Sequence, residues 1–182
     1  IPGTEIRYLL AGYLQLDTAW TRRQLEGSEK DTFLDSAIPF GDAESGTRAS
    51  IRASQFNALV QMPTALGELT GLMQADLFAY DEGAKPNLTQ LVVRLGNWLG
   101  VGKTYTTFMD DEAWPTTLDY NGPSGAVFVR QLLVRGGVSL PANLRLEASL
   151  EDPQADASAE GQGVSLSARA ERPDFVARFR YG

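Results

Sequence analysis

Along most of this chain apolar and polar residues alternate one by one. That period of two dictates extended strands with two chemically different faces. Residues 5–20, EIRYLLAGYLQLDTAW, place Ile6, Tyr8, Leu10, Leu14 and Leu16 on one parity and Arg7, Tyr13, Gln15 and Asp17 on the other. A helix would need apolar residues at spacings of three and four, which the strict parity of the polar positions denies. The pattern returns at 48–62, 69–80, 88–98, 102–108, 127–135, 144–151 and 174–181. At 144–151 it is cleanest: Leu144, Leu146, Ala148 and Leu150 oppose Arg145, Glu147, Ser149 and Glu151. In 48–62, Arg48 and Arg52 fall out of phase with the alternation that follows, so either a bulge shifts the register or both arginines sit at a rim.

Eight strands follow, and the connections between them alternate in length. Residues 63–68, 98–100 and 139–143 make short turns, whereas 21–47 and 152–173 are long and polar. Short turns at one end and long loops at the other are the pattern of an outer-membrane barrel. A soluble sandwich or barrel can show similar alternation, and pattern alone leaves both open. The aromatics Tyr8, Tyr13, Trp20 and Trp98 read either as interfacial girdle residues or as ordinary strand aromatics.

One connection is unlike the rest. Between the strand at 102–108 and the strand at 127–135 lie Asp110, Asp111, Glu112 and Asp119, a Trp114-Pro115 step, and the breakers Asn121, Gly122, Pro123 and Gly125. A hairpin needs about two to five linking residues. The segment at about 107–125 therefore reads either as a surface loop or as a loop folded back into a barrel to narrow its pore. The second is the expectation.

Composition removes several function classes. The 182 residues include no Cys and no His, which excludes disulfides, thiolate or imidazole metal sites and His-based catalytic triads. The formal charge of −7 argues against a nucleic-acid partner. No run reaches the roughly 20 apolar residues of a membrane helix, which says nothing of a barrel. Without His, a carboxylate pair such as Asp110 and Asp111 is the only local option for acid–base work, and neighbours on a strand point apart. The chain is expected not to be an enzyme and to need no metal or cofactor.

The stretch LGNWLGVGKTYTTFMDDEAWPTTLDYNGPSGAVFVRQ, residues 95–131, resembles the DcaP family of bacterial outer-membrane porins. The shared positions are Leu95, Gly96, Asn97, Gly102, Thr104, Thr107 to Asp110, Pro115, Thr117 to Asp119, Asn121 to Pro123, Gly125 and Phe128 to Gln131. PGTEIR near the start, the PTALGEL turn, QADLF and RPDFVARFRY add smaller matches over nearly the whole chain. The departures are Thr89 and Gln90 where the family has Arg-His, Lys103 for a Gln, Gln74 for a Glu, and Gln55 for an Arg.

The resemblance implies an all-β fold: a transmembrane antiparallel up-and-down β-barrel, 1–182 forming a single barrel domain. The family's barrels have about sixteen strands, so the eight read here are expected to be the N-terminal half of one. It further implies a homotrimer in the bacterial outer membrane that passes small organic anions, dicarboxylates among them, by facilitated diffusion. Such a pore needs cations along its path, because an arginine fork holds a carboxylate bidentately and an array of weak sites lets it move on. The expected pore-lining residues are Arg48, Arg52, Gln74, Asp76, Arg94, Lys103, Arg130, Arg135, Arg178 and Arg180. Asp110, Asp111, Glu112, Trp114 and Asp119 are expected on the constriction loop. Each arginine reads equally as a rim or interior residue holding the barrel through Glu or Asp partners. The alternative for the whole is a small closed eight-stranded outer-membrane barrel acting as a structural anchor or adhesin, whose interior is filled by side chains.

Overall fold

The computed structural model describes residues 5–24, 44–78, 84–110, 128–153 and 172–182. They form ten strands: β1 (Arg7–Tyr13), β2 (Asp17–Gln24), β3 (Glu44–Ser50), β4 (Gln55–Thr64), β5 (Gly67–Asp76), β6 (Asn87–Leu95), β7 (Leu99–Tyr105), β8 (Arg130–Leu140), β9 (Leu144–Glu151) and β10 (Asp174–Tyr181). Eight of them make one antiparallel up-and-down sheet in the order β1-β4-β5-β6-β7-β8-β9-β10, and β2 and β3 pair separately. Strands β1 and β10 are the two edges of the sheet.

The long first strand expected over 5–20 is thus two strands, and its partner over 48–62 is two as well. Both break at the same level. Tyr13 pairs with Gln55 and Asp17 with Ser50, so three residues on one side face four on the other. The extra residue is the register shift that put Arg48 and Arg52 out of phase. Ser54 stitches the break: its hydroxyl accepts from the Gln15 amide at 3.0 Å and donates to the Gln15 carbonyl at 3.4 Å. The connection expected over 21–47 is shorter than that, since β2 runs to Gln24 and β3 starts at Glu44. Strand β7 starts at Leu99 rather than 102, after a turn in which Gly96 has φ 52°. Strands β9 and β10 have the expected bounds.

The two faces of the sheet differ in chemistry. Paired residues share a face, and the register links Val93, Val101, Val134, Leu150 and Phe175 in one row across five strands. Beside it run Val138, Leu146 and Phe179, and towards β1 the same face carries Met73, Val60, Leu10 and Tyr8. These side chains are exposed, Leu10 at 74% and Phe175 at 72%. The buried set is largely polar instead: Ser54, Asp76, Thr89, Gln90, Thr104, Thr107, Gln131, Glu147, Ser149 and Glu151. A water-soluble fold inverts this distribution, because each large apolar side chain left in water forgoes about 1.5–3 kcal/mol of burial. The apolar face needs an apolar neighbour.

Two backbone features keep these faces in phase. At the β5–β6 bulge, Gln74 faces both Thr89 and Gln90, so Leu88 and Leu91 both fall on the apolar face although three positions apart. Gly102, at φ 139°, passes so close to β6 that a Cβ would meet the Leu91 carbonyl oxygen at 2.1 Å. Only glycine fits there.

Candidate functional site

The polar face is organised in transverse rungs. The first is an amide ladder. Gln74 Nε2 donates to Asn57 Oδ1 at 2.9 Å, Gln90 Nε2 donates to Gln74 Oε1 at 2.8 Å, and Thr104 Oγ1 donates to Gln90 Oε1 at 2.6 Å. Cross-strand pairing of β4 through β7 delivers these side chains to one line. Thr89 Oγ1 closes the bulge onto the Gln74 carbonyl at 3.0 Å. The next rung is apolar, formed by Leu9, Leu59, Leu72, Val92, Gly102 and Leu133. The third runs Arg7, Gln61, Thr70, Arg94, Gly100, Arg135 and Ser149.

The chain leaving β7 lies against this same face. Thr106 still pairs with β8 through its amide and the Val129 carbonyl at 3.1 Å, and Met109 N–H turns back onto the Thr106 carbonyl at 3.2 Å. Glu151 of β9 gathers the turn. Its carboxylate accepts from the Thr107 amide at 2.8 Å and from Thr106 Oγ1, Gln131 Nε2 and Ser149 Oγ, each at 2.5 Å. Arg135 Nε donates to Thr107 Oγ1 at 2.8 Å, and Arg135 Nη2 donates to the Tyr105 carbonyl at 2.5 Å. Farther along, Arg178 Nη1 donates to the Met109 carbonyl at 2.9 Å, and Arg180 pairs with Asp110 at 2.5 Å. Residues 106–110 therefore cross from β7 over β8 and β9 to β10 on the polar side. Thr107 and Met109 are buried there, at 0% and 4% exposure. Arg178 and Arg180 lie in the half of β10 remote from Asp174, so the segment also runs back along the strand.

The expected pore-lining residues divide. Gln74, Arg94, Arg135, Arg178 and Arg180 all sit on the polar face, as does Asp76, which is buried and accepts from Asn87 Nδ2 at 2.9 Å and from the Phe78 amide at 3.0 Å. Arg52 is buried in the break between β3 and β4, its guanidinium 5.0 Å from the Phe78 ring centroid. Arg48 is described only as a backbone position on β3, opposite Ala19. Two residues fall elsewhere. Lys103 pairs with Leu91 and Leu132, and Arg130 pairs with Tyr105 on the same parity, which puts both on the apolar face. Lys103 Nζ bends to the Leu88 carbonyl at 3.0 Å. Arg130 packs against the Tyr105 and Phe128 rings, 4.9 and 4.5 Å from their centroids, and donates to the Tyr105 hydroxyl at 3.0 Å. Cations there fit the end of an apolar band, where a charge meets polar surroundings and costs least. Of the constriction-loop residues, Asp110 is the Arg180 partner, whereas Asp111, Glu112, Trp114 and Asp119 lie outside the described residues.

Asn57, Gln90, Thr104, Gln131, Glu147 and Glu151 join the polar face, and none of them is among the expected pore-lining residues. Glu147 is buried and ion-paired with both Arg145, at 3.1 Å, and Arg178. Alternation with Leu146 and Ala148 assigns Glu147 to this face. Its two arginine partners come from its own strand and from β10, and only the second pairing depends on the fold.

No family model matches the chain, and no curated protein matches it. Among solved structures, the outer membrane channel DcaP of Acinetobacter baumannii superposes with a TM-score of 0.76 at 17% identity, over 96% of this chain and 48% of that chain. The two share a fold. The chain spans about half the length of the channel it matches. At that identity the likeness speaks for the antiparallel up-and-down sheet and its topology. The chemistry of the polar face rests on this chain's own residues.

Proposed function

We propose that this chain is part of the wall of an outer-membrane β-barrel channel that passes small organic anions by facilitated diffusion. The observation that carries this reading is the reversal of the two faces. An exposed apolar band suits lipid, and a polar, arginine-bearing face with a segment of chain folded over it suits a water-filled lumen narrowed from inside. Tyr8, Trp98 and Tyr181 at the short-turn end, with Phe56, Tyr105 and Phe175 at the other, fit the aromatic girdles of such a band. The course of residues 106–110 supports a constriction-type loop at about 107–125. Dicarboxylates as the preferred solutes and a homotrimeric assembly belong to this reading through the resemblance to the DcaP porins.

The polar face does no bond-making. Its arginines lower the energy of a carboxylate in the constriction, while their number and spacing keep each site weak enough for release. Reconstituting the intact protein in planar bilayers tests this. Stepwise conductance with a reversal potential favouring anions is the expected result, and the absence of any conductance from folded, inserted protein would sink the reading.

A further inference from the structure

Lys103 and Arg130 stand on the apolar face, at the end of β7 and the start of β8, where the connection between strands is long. Lys103 pairs with Leu132 and Tyr105 pairs with Arg130, so the two cations are diagonal neighbours across the strands, about 7–8 Å apart. Arg130 lies against the Tyr105 and Phe128 rings, and its Nη2 donates to the Tyr105 hydroxyl at 3.0 Å. The guanidinium therefore leans from β8 towards β7, the strand that carries Lys103.

These groups gather hydrogen-bond donors in one place. A phenol that accepts a hydrogen bond, as Tyr105 does, still has its own proton to give. Lys103 Nζ gives one of its three protons to the Leu88 carbonyl at 3.0 Å, which steadies the ammonium over β6 and leaves two. Next to the donors the surface turns apolar: Leu91, Val101, Leu132 and Val134 continue the same face and are all exposed. At ~3.4 Å of rise per residue, the nearest of them are within about 7 Å of the cations. On the far side of β8 the exposed Asp152 bounds the cluster, its amide donating to the Leu132 carbonyl at 2.8 Å. A carboxylate there disfavours an anion spread over several strands and leaves room for a compact one over β7.

We propose that Lys103, Arg130 and Tyr105 form a site for the phosphate of a membrane lipid, whose acyl chains lie along Val101, Leu132 and Val134. The site rests on the reading of the apolar face as lipid-facing, and its position at the strand ends puts it in the leaflet on the long-loop side. A phosphate monoester offers three strong acceptor oxygens to the ammonium, the guanidinium and the phenol. Free phosphate would meet the same donors, but a lipid also covers the apolar surface directly beside them, and this makes a lipid the occupant. Tyr105 is the last residue of β7, and Thr106 begins the segment that crosses the polar face. The lipid headgroup is therefore held at the root of that segment.

The test is lipid retention by the intact protein in detergent, read by native mass spectrometry. The probes are dioleoyl phosphatidate and dioleoylglycerol, which has the same chains and no phosphate. Lys103→Gln and Tyr105→Phe are compared with wild type and with Arg94→Gln, which removes a cation from the polar face, and folding is checked by heat-modifiable gel mobility. Phosphatidate affinity is expected to fall about tenfold in Lys103→Gln and about threefold or more in Tyr105→Phe, and to stay within about twofold in Arg94→Gln. Dioleoylglycerol should bind more weakly than phosphatidate and equally in all four proteins. Wild-type phosphatidate affinity in either folded site variant overturns the site. An equal loss in Arg94→Gln overturns it too, since net charge would then explain the retention. Inorganic phosphate that displaces phosphatidate at equal concentration overturns the choice of a lipid as occupant. Wild-type protein that folds yet does not insert into lipid vesicles removes the lipid-facing reading itself, an outcome distinct from the others.

Discussion

Glu151 accepts a hydrogen bond from the Thr107 backbone amide at 2.8 Å, joining the end of β9 to the chain that leaves β7, two strands away in the sheet. The contact turns that chain towards the polar face, when it could otherwise run on past the sheet. Three further donors converge on the same carboxylate. Replacing Glu151 with Ala strips the partner from several buried groups at once. A loss of about 3 kcal/mol is expected, measured as the urea midpoint of the folded protein in detergent. Release of residues 106–110 should also appear as faster proteolysis of that loop.

The two ion pairs that hold the loop side of β10 should differ sharply. Arg178 and Glu147 are both largely buried, at 15% and 5% side-chain exposure, whereas Asp110 is 58% exposed. Arg178→Ala leaves the buried Glu147 carboxylate with Arg145 as its one remaining cation among the described residues and is expected to cost about 2–3 kcal/mol. Asp110→Asn, at an exposed pair, is expected to cost less than about 1 kcal/mol. Equal effects in denaturant titrations of the two variants would contradict that difference in burial.

Lys103 and Arg94 give opposite expectations for ion selectivity. Lys103→Leu changes a side chain on the apolar face, and the reversal potential in a salt gradient should stay where it is. Arg94→Gln, on the polar face, should move that potential towards cations. A shift from Lys103→Leu equal to that from Arg94→Gln would show that Lys103 reaches the lumen after all.

The faces themselves can be probed by charge insertion. Val134→Arg places a cation in the middle of the apolar row and should destabilise the protein by about 2–4 kcal/mol in lipid, whereas Gln74→Arg on the amide ladder should cost much less. Folding titrations in lipid vesicles compare the two.

How much of this is legible in the sequence depends on where period two runs unbroken. At β9 and β10 it does, and both strands have the bounds the alternation gives. The first strand hides its break because nothing in 14–16 or 51–54 is a Gly or Pro, and the Ser54 hydroxyl that bridges the break reaches 39 positions along the chain. Lys103 is expected in the lumen through the resemblance alone. With the strand begun at Leu99, the parity Leu99, Val101, Lys103 puts it among apolar residues. Arg130 offers less, since Phe128, Leu132 and Val134 on its parity are matched by Val129 and Leu133 on the other. Glu151 can be assigned a face but not a task. Its donors come from β8, from its own strand and from the loop, and only the folded register brings them together.

In a barrel whose strands tilt by about 40°, a rung perpendicular to the strands climbs as it goes round. From Arg7 on β1 to Arg135 on β8 the rung passes through β4, β5, β6 and β7. That is ~24 Å of arc and roughly 15 Å of height. The arginines along it would wind like a screw thread through about half the thickness of the hydrocarbon layer. An anion following them would meet its cations one after another, at successive depths, and never all at a single narrow collar.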